Sequence, residues 1–176
     1  MSGNWEEAAP APPQQLDADT ILRTLLAHDV ELVVVGGFAV AAHGFARATK
    51  DIDLFPGPER ENRRRLFAAL RSLDAEPLEI GDFERTELPV QFDSAALDDG
   101  GNWALRTNAG RVDVLQWLPG VDDYDAVRAR AVEVQLPNVG GVLFAGYEDL
   151  VAMKRAAGRP QDDRDLEELR ALRGGN

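Results

Sequence analysis

Val33-Val34-Val35-Gly36-Gly37 and, a short way along the chain, Lys50-Asp51-Ile52-Asp53-Leu54-Phe55 decide how this sequence is read. The first stretch is a β-branched run ending in paired glycines, the pattern of a buried strand that enters a tight turn and then a helical segment. The second is a strand pattern carrying two carboxylates one residue apart. Side chains alternate across a strand, so Asp51 and Asp53 project from one face while Ile52 and Leu54 enter a core. Adjacent anions repel, and a divalent cation between them relieves the repulsion. Hard cations such as magnesium take carboxylate and phosphate oxygens, and the bare N–H groups of a Gly-Gly turn opening a helix receive the same phosphates. Together the two stretches point to a site for a metal and a nucleotide.

Working outward, Leu32 to Val35 reads as the first strand, apolar throughout as a strand buried on both faces must be. A short helix is expected from Phe38 to about His43, and a second strand from Asp51 to Phe55. Pro56 and Pro58 close that strand and open a helix from Glu59 to Leu73, with Leu66, Phe67, Leu70 and Leu73 at helical spacing. Upstream, Asp19-Thr20 offers an N-cap for an amphipathic helix through Ile21, Leu22, Leu25 and Leu26 that ends near His28. The alanine, proline and glutamine of Ala8 to Gln15 cannot bury enough apolar surface to order themselves, so Met1 to Gln15 is expected to be a disordered tail and residues 16–173 a single domain. Glu76 to Gly101 is weakly patterned, with an edge strand expected around Pro89 to Phe92. Trp103 to Arg106 and Arg111 to Gln116 form one hairpin, turned at Thr107-Asn108-Ala109-Gly110, with Asp113 in mid-strand. A helix over Tyr124 to Arg130 precedes a second hairpin, Val132 to Leu136 with Val142 to Ala145. Two helices, Glu148 to Ala157 and Asp162 to Leu172, are separated by Gly158 and Pro160.

These residues resemble the signature of the nucleotidyltransferase superfamily: Gly-Gly or Gly-Ser, a spacer, Asp-x-Asp or Asp-x-Glu within apolar residues, and a third carboxylate on a later strand. Gly36-Gly37, Asp51 and Asp53, and Gly110-Arg111-Val112-Asp113-Val114-Leu115 supply the parts. The run from Tyr147 to Asp165 is similar to the end of small bacterial members, toxin-type and antibiotic-modifying-type, and the resemblance spans residues 20–173. It implies an α/β nucleotidyltransferase fold, a small mixed central sheet flanked by helices with a C-terminal helix pair. The implied activity is magnesium- or manganese-dependent transfer of a nucleoside monophosphate from a nucleoside triphosphate (ATP among them) to a hydroxyl. The acceptor would be a small molecule, a tRNA or a partner protein, the last in a toxin–antitoxin pair. By resemblance Asp51 and Asp53 hold the metal that faces the triphosphate, and Asp113 serves a second metal nearer the acceptor and helps take its proton. Gly36 and Gly37 admit the phosphates to bare backbone. Arg47, Thr49 and Lys50, just before the carboxylates, offer charge-assisted phosphate contacts. Lys154 is a second phosphate contact, with Arg159 and Asp165 as further candidates.

Composition sets the outer limits. A chain of 176 residues with 44% hydrophobic content holds one domain with a real core. It has no cysteine, which excludes disulfides and thiolate metal sites. No apolar run approaches the roughly 18 residues of a membrane span, and the N-terminus lacks the basic start of a signal peptide, so a soluble cytoplasmic protein is expected. The net charge of −12 argues against generic binding to DNA or RNA backbones and suits a cationic acceptor.

Plainer readings compete residue by residue. Asp-x-Asp is common in acidic chains and gains its weight only from Gly36-Gly37 and Asp113. Arg63-Arg64-Arg65 reads as a solvated helix face and Arg155 as a helix C-terminal charge. His28 and His43 lack metal-ligand spacing. Trp103 and Trp117 read as packing residues, and Asp98-Asp99, Asp122-Asp123 and Asp162-Asp163 as loop acids or helix N-terminal charges. Two rival functions remain: a catalytically silent antitoxin-like binding protein, against which all three carboxylates count, and a metal-dependent glycosyltransferase, which leaves Gly36-Gly37 and Asp113 without a role.

Overall fold

The computed structural model describes residues 15–78, 92–93 and 95–174. Its helices are α1 (Ala18–Ala27), α2 (Gly36–Ala42), α3 (Arg60–Ser72), α4 (Tyr124–Arg130), α5 (Tyr147–Ala157) and α6 (Pro160–Gly174). The strands are β1 (Leu32–Val35), β2 (Asp51–Pro56), β3 (Glu76–Pro77), β4 (Trp103–Thr107), β5 (Gly110–Val114), β6 (Val132–Leu136) and β7 (Gly140–Phe144). They form one mixed sheet in the order β3-β4-β5-β2-β1-β7-β6. The expected mixed α/β architecture is present, with a mixed sheet of seven strands among the described residues. The expected edge strand near Pro89 falls, apart from Phe92, outside the described residues.

At the centre β1 runs antiparallel to β2, and β2 parallel to β5. All four residues of β1 are buried, which requires cover on both faces, whereas β2 is split: Ile52 and Leu54 have no exposed surface while Asp51 and Asp53 stay partly open on the other face. Asn62, itself buried, fixes the far end of the β1–β2 pair. Its amide donates to the carbonyls of Glu31 (2.8 Å) and Gly57 (2.9 Å), and its oxygen accepts from the Glu31 N–H at 2.7 Å. That anchorage holds a register in which Val35 lies opposite Asp53, so the chain leaves β1 directly beside a carboxylate.

The starts of α1 and α2 differ from expectation for local reasons, and α6 begins two residues before the expected Asp162. Asp17, not Asp19-Thr20, caps α1: its carboxylate accepts from the Thr20 N–H at 2.9 Å and the Thr20 hydroxyl at 2.7 Å. Helix α2 begins at Gly36 instead of Phe38, because Gly36 takes φ +62°, open to glycine but strained for other residues, and turns the chain straight from strand into helix. At the C-terminus α5 ends at Gly158 in the left-handed conformation and α6 opens at Pro160, folding the two helices against each other. No helix among the described residues is long and apolar enough to cross a membrane.

Candidate active site

Strand pairing brings the separated acids together. In the β2–β5 register Asp51 lies opposite Arg111 and Asp53 opposite Asp113, so the three aspartates occupy neighbouring positions on one face of adjacent strands. Asp53 is partly buried between the other two charges. Burial, then the negative charges of Asp51 and Asp113, push its carboxyl up from 3.8 to about 6. Gly36 lies against it, and a β-carbon there would collide with the Asp53 carboxylate. Gly37 is equally confined: a β-carbon would strike the Thr49 methyl and come within 2.9 Å of Arg47 Nη2. The N-cap of α2 is Val35, which offers no side-chain acceptor to the first-turn amides.

Two cavities meet at these carboxylates. One, of about 790 Å³, is polar and includes Gly37, Arg47, Thr49, Lys50, Asp51 and Arg111. The other, of about 330 Å³, is walled mainly by apolar side chains from the segment after β5 and from α5. Gly36, Asp53, Asp113, Lys154, Arg159 and Asp162 line both and mark their junction. Of the residues expected in the site, all but Asp165, which is buried behind Lys154, border one or both of these cavities.

Arg111, unmarked in the sequence reading, is central to the site's electrostatics. Its Nε and Nη2 donate to the two oxygens of Asp113, each at 2.9 Å, and its Nε lies 3.6 Å from Asp51 Oδ2. Bonding to Asp113 raises the pKa of this guanidinium further. A fixed positive charge thus spans the outer acids. The alternation rule makes Arg111 visible after the fact, since it lies two residues before Asp113 and so on the same face.

Lys154 is not a solvated helix charge. It is 5% exposed, and its Nζ lies 2.8 Å from Asp162 Oδ1 and 2.6 Å from Asp165 Oδ2. Asp165 also faces Arg47 Nε at 3.2 Å, and both of its contacts are ion pairs without hydrogen-bond alignment. Asp162 is buried yet held below its ordinary value, the burial penalty being outweighed by hydrogen bonds from Arg159 and Lys154. It is a structural member of the site, more than the helix N-terminal charge expected. Arg47 and Lys154 line the cavities with part of their charge already shared, while Arg155 is exposed as expected.

Other expectations resolve simply. Arg64 is exposed, and Arg63 pairs with Asp98 at 2.9 Å. His43 hydrogen-bonds the Ala145 carbonyl through Nε2 at 2.9 Å. Asp123 caps α4. Trp103 packs against Phe92 with ring centres 5.2 Å apart. Trp117 does not pack: it is 66% exposed and borders the apolar cavity.

The donor set fits a hard divalent cation, being all carboxylate oxygen, on one face, with Asp53 beside a glycine that leaves room for its oxygens. Among the described residues no trio of acidic or histidine side chains is already drawn into a closed coordination cluster. The Asp113 oxygens are instead held by two hydrogen bonds from Arg111.

No curated protein sequence matches the chain. Among solved structures, the lincosamide antibiotic adenylyltransferase LnuA with lincomycin bound is similar over 90% of this chain and 99% of that one, with TM-score 0.60 and 13% identity. The antibiotic-resistance factor ANT(2″)-Ia in solution is similar over 90% of both chains, with TM-score 0.53 and 17% identity. A crystal structure of ANT(2″)-Ia in complex with adenylyl-2″-tobramycin covers 90% of this chain and 95% of that one, with TM-score 0.50 and 17% identity. At such identities the likeness is one of fold. A family model described as a nucleotidyltransferase of unknown function (DUF6036) matches residues 15–173, nearly all of the described chain, and the protein belongs to this nucleotidyltransferase family.

Proposed function

We propose that the protein transfers a nucleoside monophosphate from a nucleoside triphosphate to a hydroxyl on a small molecule, with Asp51 and Asp53 holding the divalent metal that accompanies the triphosphate and Asp113 serving a second metal nearer the acceptor. The observation that carries this reading is the parallel β2–β5 register, which sets Asp53 opposite Asp113 where the polar and apolar cavities join. Gly36 and Gly37 leave bare backbone for the phosphates, with Thr49 and Lys50 on the same wall and Arg47 and Lys154 beside them. A bound metal supplies charge neutralisation between phosphate oxygens and carboxylates. The acceptor oxygen forms a bond to the α-phosphorus as the bond to pyrophosphate breaks, and on this reading the hydroxyl proton passes to Asp113 after its oxygens exchange the Arg111 hydrogen bonds for the acceptor. Arg111 then remains beside the reacting centre as a compensating charge.

A small acceptor is favoured over tRNA or a partner protein in a toxin–antitoxin pair by two considerations. The net charge of −12 disfavours a polyanion. Two fold neighbours are named for small acceptors or products, lincomycin and adenylyl-2″-tobramycin.

Asp113→Asn tests the assignment. With magnesium present, calorimetry is expected to show nearly wild-type triphosphate affinity, while transfer from α-labelled triphosphate falls on the order of a hundredfold or more, several kcal/mol of transition-state stabilisation. Small hydroxyl compounds, total RNA and cell protein are offered separately as acceptors. Wild-type rates in the variant remove Asp113 from the chemistry, and label entering RNA overturns the small-molecule acceptor.

A further inference from the structure

The segment that follows β5 carries an exposed indole on a rigid support. Asn102 grips Trp117 by its backbone, its Oδ1 accepting the Trp117 N–H at 3.1 Å and its Nδ2 donating to the Trp117 carbonyl at 3.1 Å. The preceding Gln116 donates to the Gly101 carbonyl at 3.1 Å. The next residue, Leu118, is buried in the core. Gly120 then takes φ +85° and lies so close to α5 that a β-carbon would come within 2.5 Å of the Ala152 carbonyl. A segment pinned at each of these points holds Trp117 in place while leaving its ring 66% exposed. An immobilised, solvent-facing indole beside a cavity is a poor arrangement for packing and a good one for stacking.

The cavity it borders has the size and walls of a small-ligand pocket. It is about 330 Å³, within the usual range of roughly 300–1,000 Å³. Beyond the junction residues its walls include Leu115, Trp117, Leu118, Pro119, Met153 and Ala157, with Asn102 a polar member. Asn102 spends both amide atoms on the Trp117 backbone. Past the carboxylates, among the described residues, the side-chain walls are therefore apolar apart from Asn102, engaged with the Trp117 backbone, and the Trp117 indole N–H, which lies in the ring plane and does not face the edge of a base stacked on that ring. On the other side of Asp53 lies the polar cavity assigned above to the phosphates. A nucleotide whose phosphates fill the polar cavity and whose α-phosphorus sits at the junction has the apolar cavity directly open to its nucleoside.

We infer that the apolar cavity is the nucleobase site, that Trp117 is its stacking platform, and that it recognises the base by area rather than by edge, favouring purines over pyrimidines without separating adenine from guanine. The inference rests on the nucleotidyltransferase site proposed above. Stacking of a base on an aromatic side chain is sequence-tolerant because every base has a π face, and the larger purines cover more of the indole.

Calorimetry with magnesium and four probes, ATP, GTP, UTP and inorganic tripolyphosphate, separates this inference from the reading beneath it. Wild-type protein should bind ATP and GTP within about threefold of each other, and each more tightly than UTP. Trp117→Ala should weaken ATP and GTP about tenfold, or about 1.4 kcal/mol, and leave tripolyphosphate unchanged, because that probe has no base. Trp117→Phe should retain most of the affinity. ATP should quench a fluorescence component that Trp117→Phe lacks and tripolyphosphate does not affect. Failure of tripolyphosphate and every triphosphate to bind the wild type would overturn the phosphate site itself. Tripolyphosphate binding with equal ATP affinity in wild type and Trp117→Ala would overturn the base site alone, as would a tenfold preference between ATP and GTP. Because Trp117 is mostly exposed, Trp117→Ala should melt with the wild type, and an ATP loss accompanied by a matching tripolyphosphate loss counts against the inference.

Discussion

Asp53 sets the pH response of the free protein. Its folded pKa of about 6 lies above the ordinary 3.8, so between those values the folded state binds the proton more tightly than the unfolded chain does. Stability from this group is then greatest in acid and falls as pH rises from about 4 to about 6, by up to roughly 3 kcal/mol, before levelling off. Asp162, shifted the other way, loses its contribution only at lower pH. In chelator, the melting temperature should therefore rise from pH 7 to pH 5, and Asp53→Asn should flatten that rise. Arg111 yields a second expectation. Its guanidinium already stands between Asp113 and Asp51, so a metal must compete with it. Arg111→Gln should lower the melting temperature in chelator but tighten manganese binding by calorimetry and enlarge the magnesium-induced shift. Unchanged manganese affinity would show that the guanidinium does not occupy the cation's place. Asp51, Asp53 and Asp113 were legible in the sequence because alternation and apolar flanks are local; the reach of Arg111 to Asp51 was not, because it depends on a strand pairing between residues distant in the chain.

At the scale of elements, the same division holds. The glycine-ended strand β1, the Asp-x-Asp strand β2, helix α3 and helix α4 carry their periodicity within themselves, and their expected positions agree with the structure to within about a residue. Strand β3 is only Glu76–Pro77, too short for any pattern, and exists because β4 offers it partners. The C-terminal helices show the limit most sharply. The sequence offers Lys154 on α5 only as a phosphate contact by resemblance, yet α6 folds back and surrounds it with Asp162 and Asp165. Lys154→Met should leave those buried carboxylates short of one cation and destabilise the fold by about 3–5 kcal/mol, read by chemical denaturation. Arg159→Ala, whose side chain is 72% exposed, should cost much less. Equal losses from the two substitutions would mean that α6 is held by its apolar residues rather than by this ion cluster.

For the whole molecule, the open question is how little of the chain makes a complete domain, and we propose that residues 16–173 do so. Leu16 packs against the core, and a β-carbon on Gly110 would come within 2.8 Å of its side chain. Asp17 follows at once, its N–H donating to the Ala109 carbonyl at 2.8 Å and its carboxylate capping α1. The start of α1 is thereby tied to the β4–β5 turn, which leads into the strand that carries Asp113. Removing residues 1–14 takes away none of these contacts, so the melting temperature and magnesium-ATP affinity should stay within experimental error of the full chain. Removing residues 1–17 deletes the cap, the backbone tie and the Leu16 contact together. The cap alone is worth about 0.5–2 kcal/mol, so several degrees of melting temperature should be lost in a domain of this size. If the shorter deletion were as damaging as the longer one, the N-terminal segment would be part of the domain. If neither had any effect, α1 would be held by Ile21, Leu22 and Leu25 in the core, and its tie to the β4–β5 turn would contribute nothing measurable.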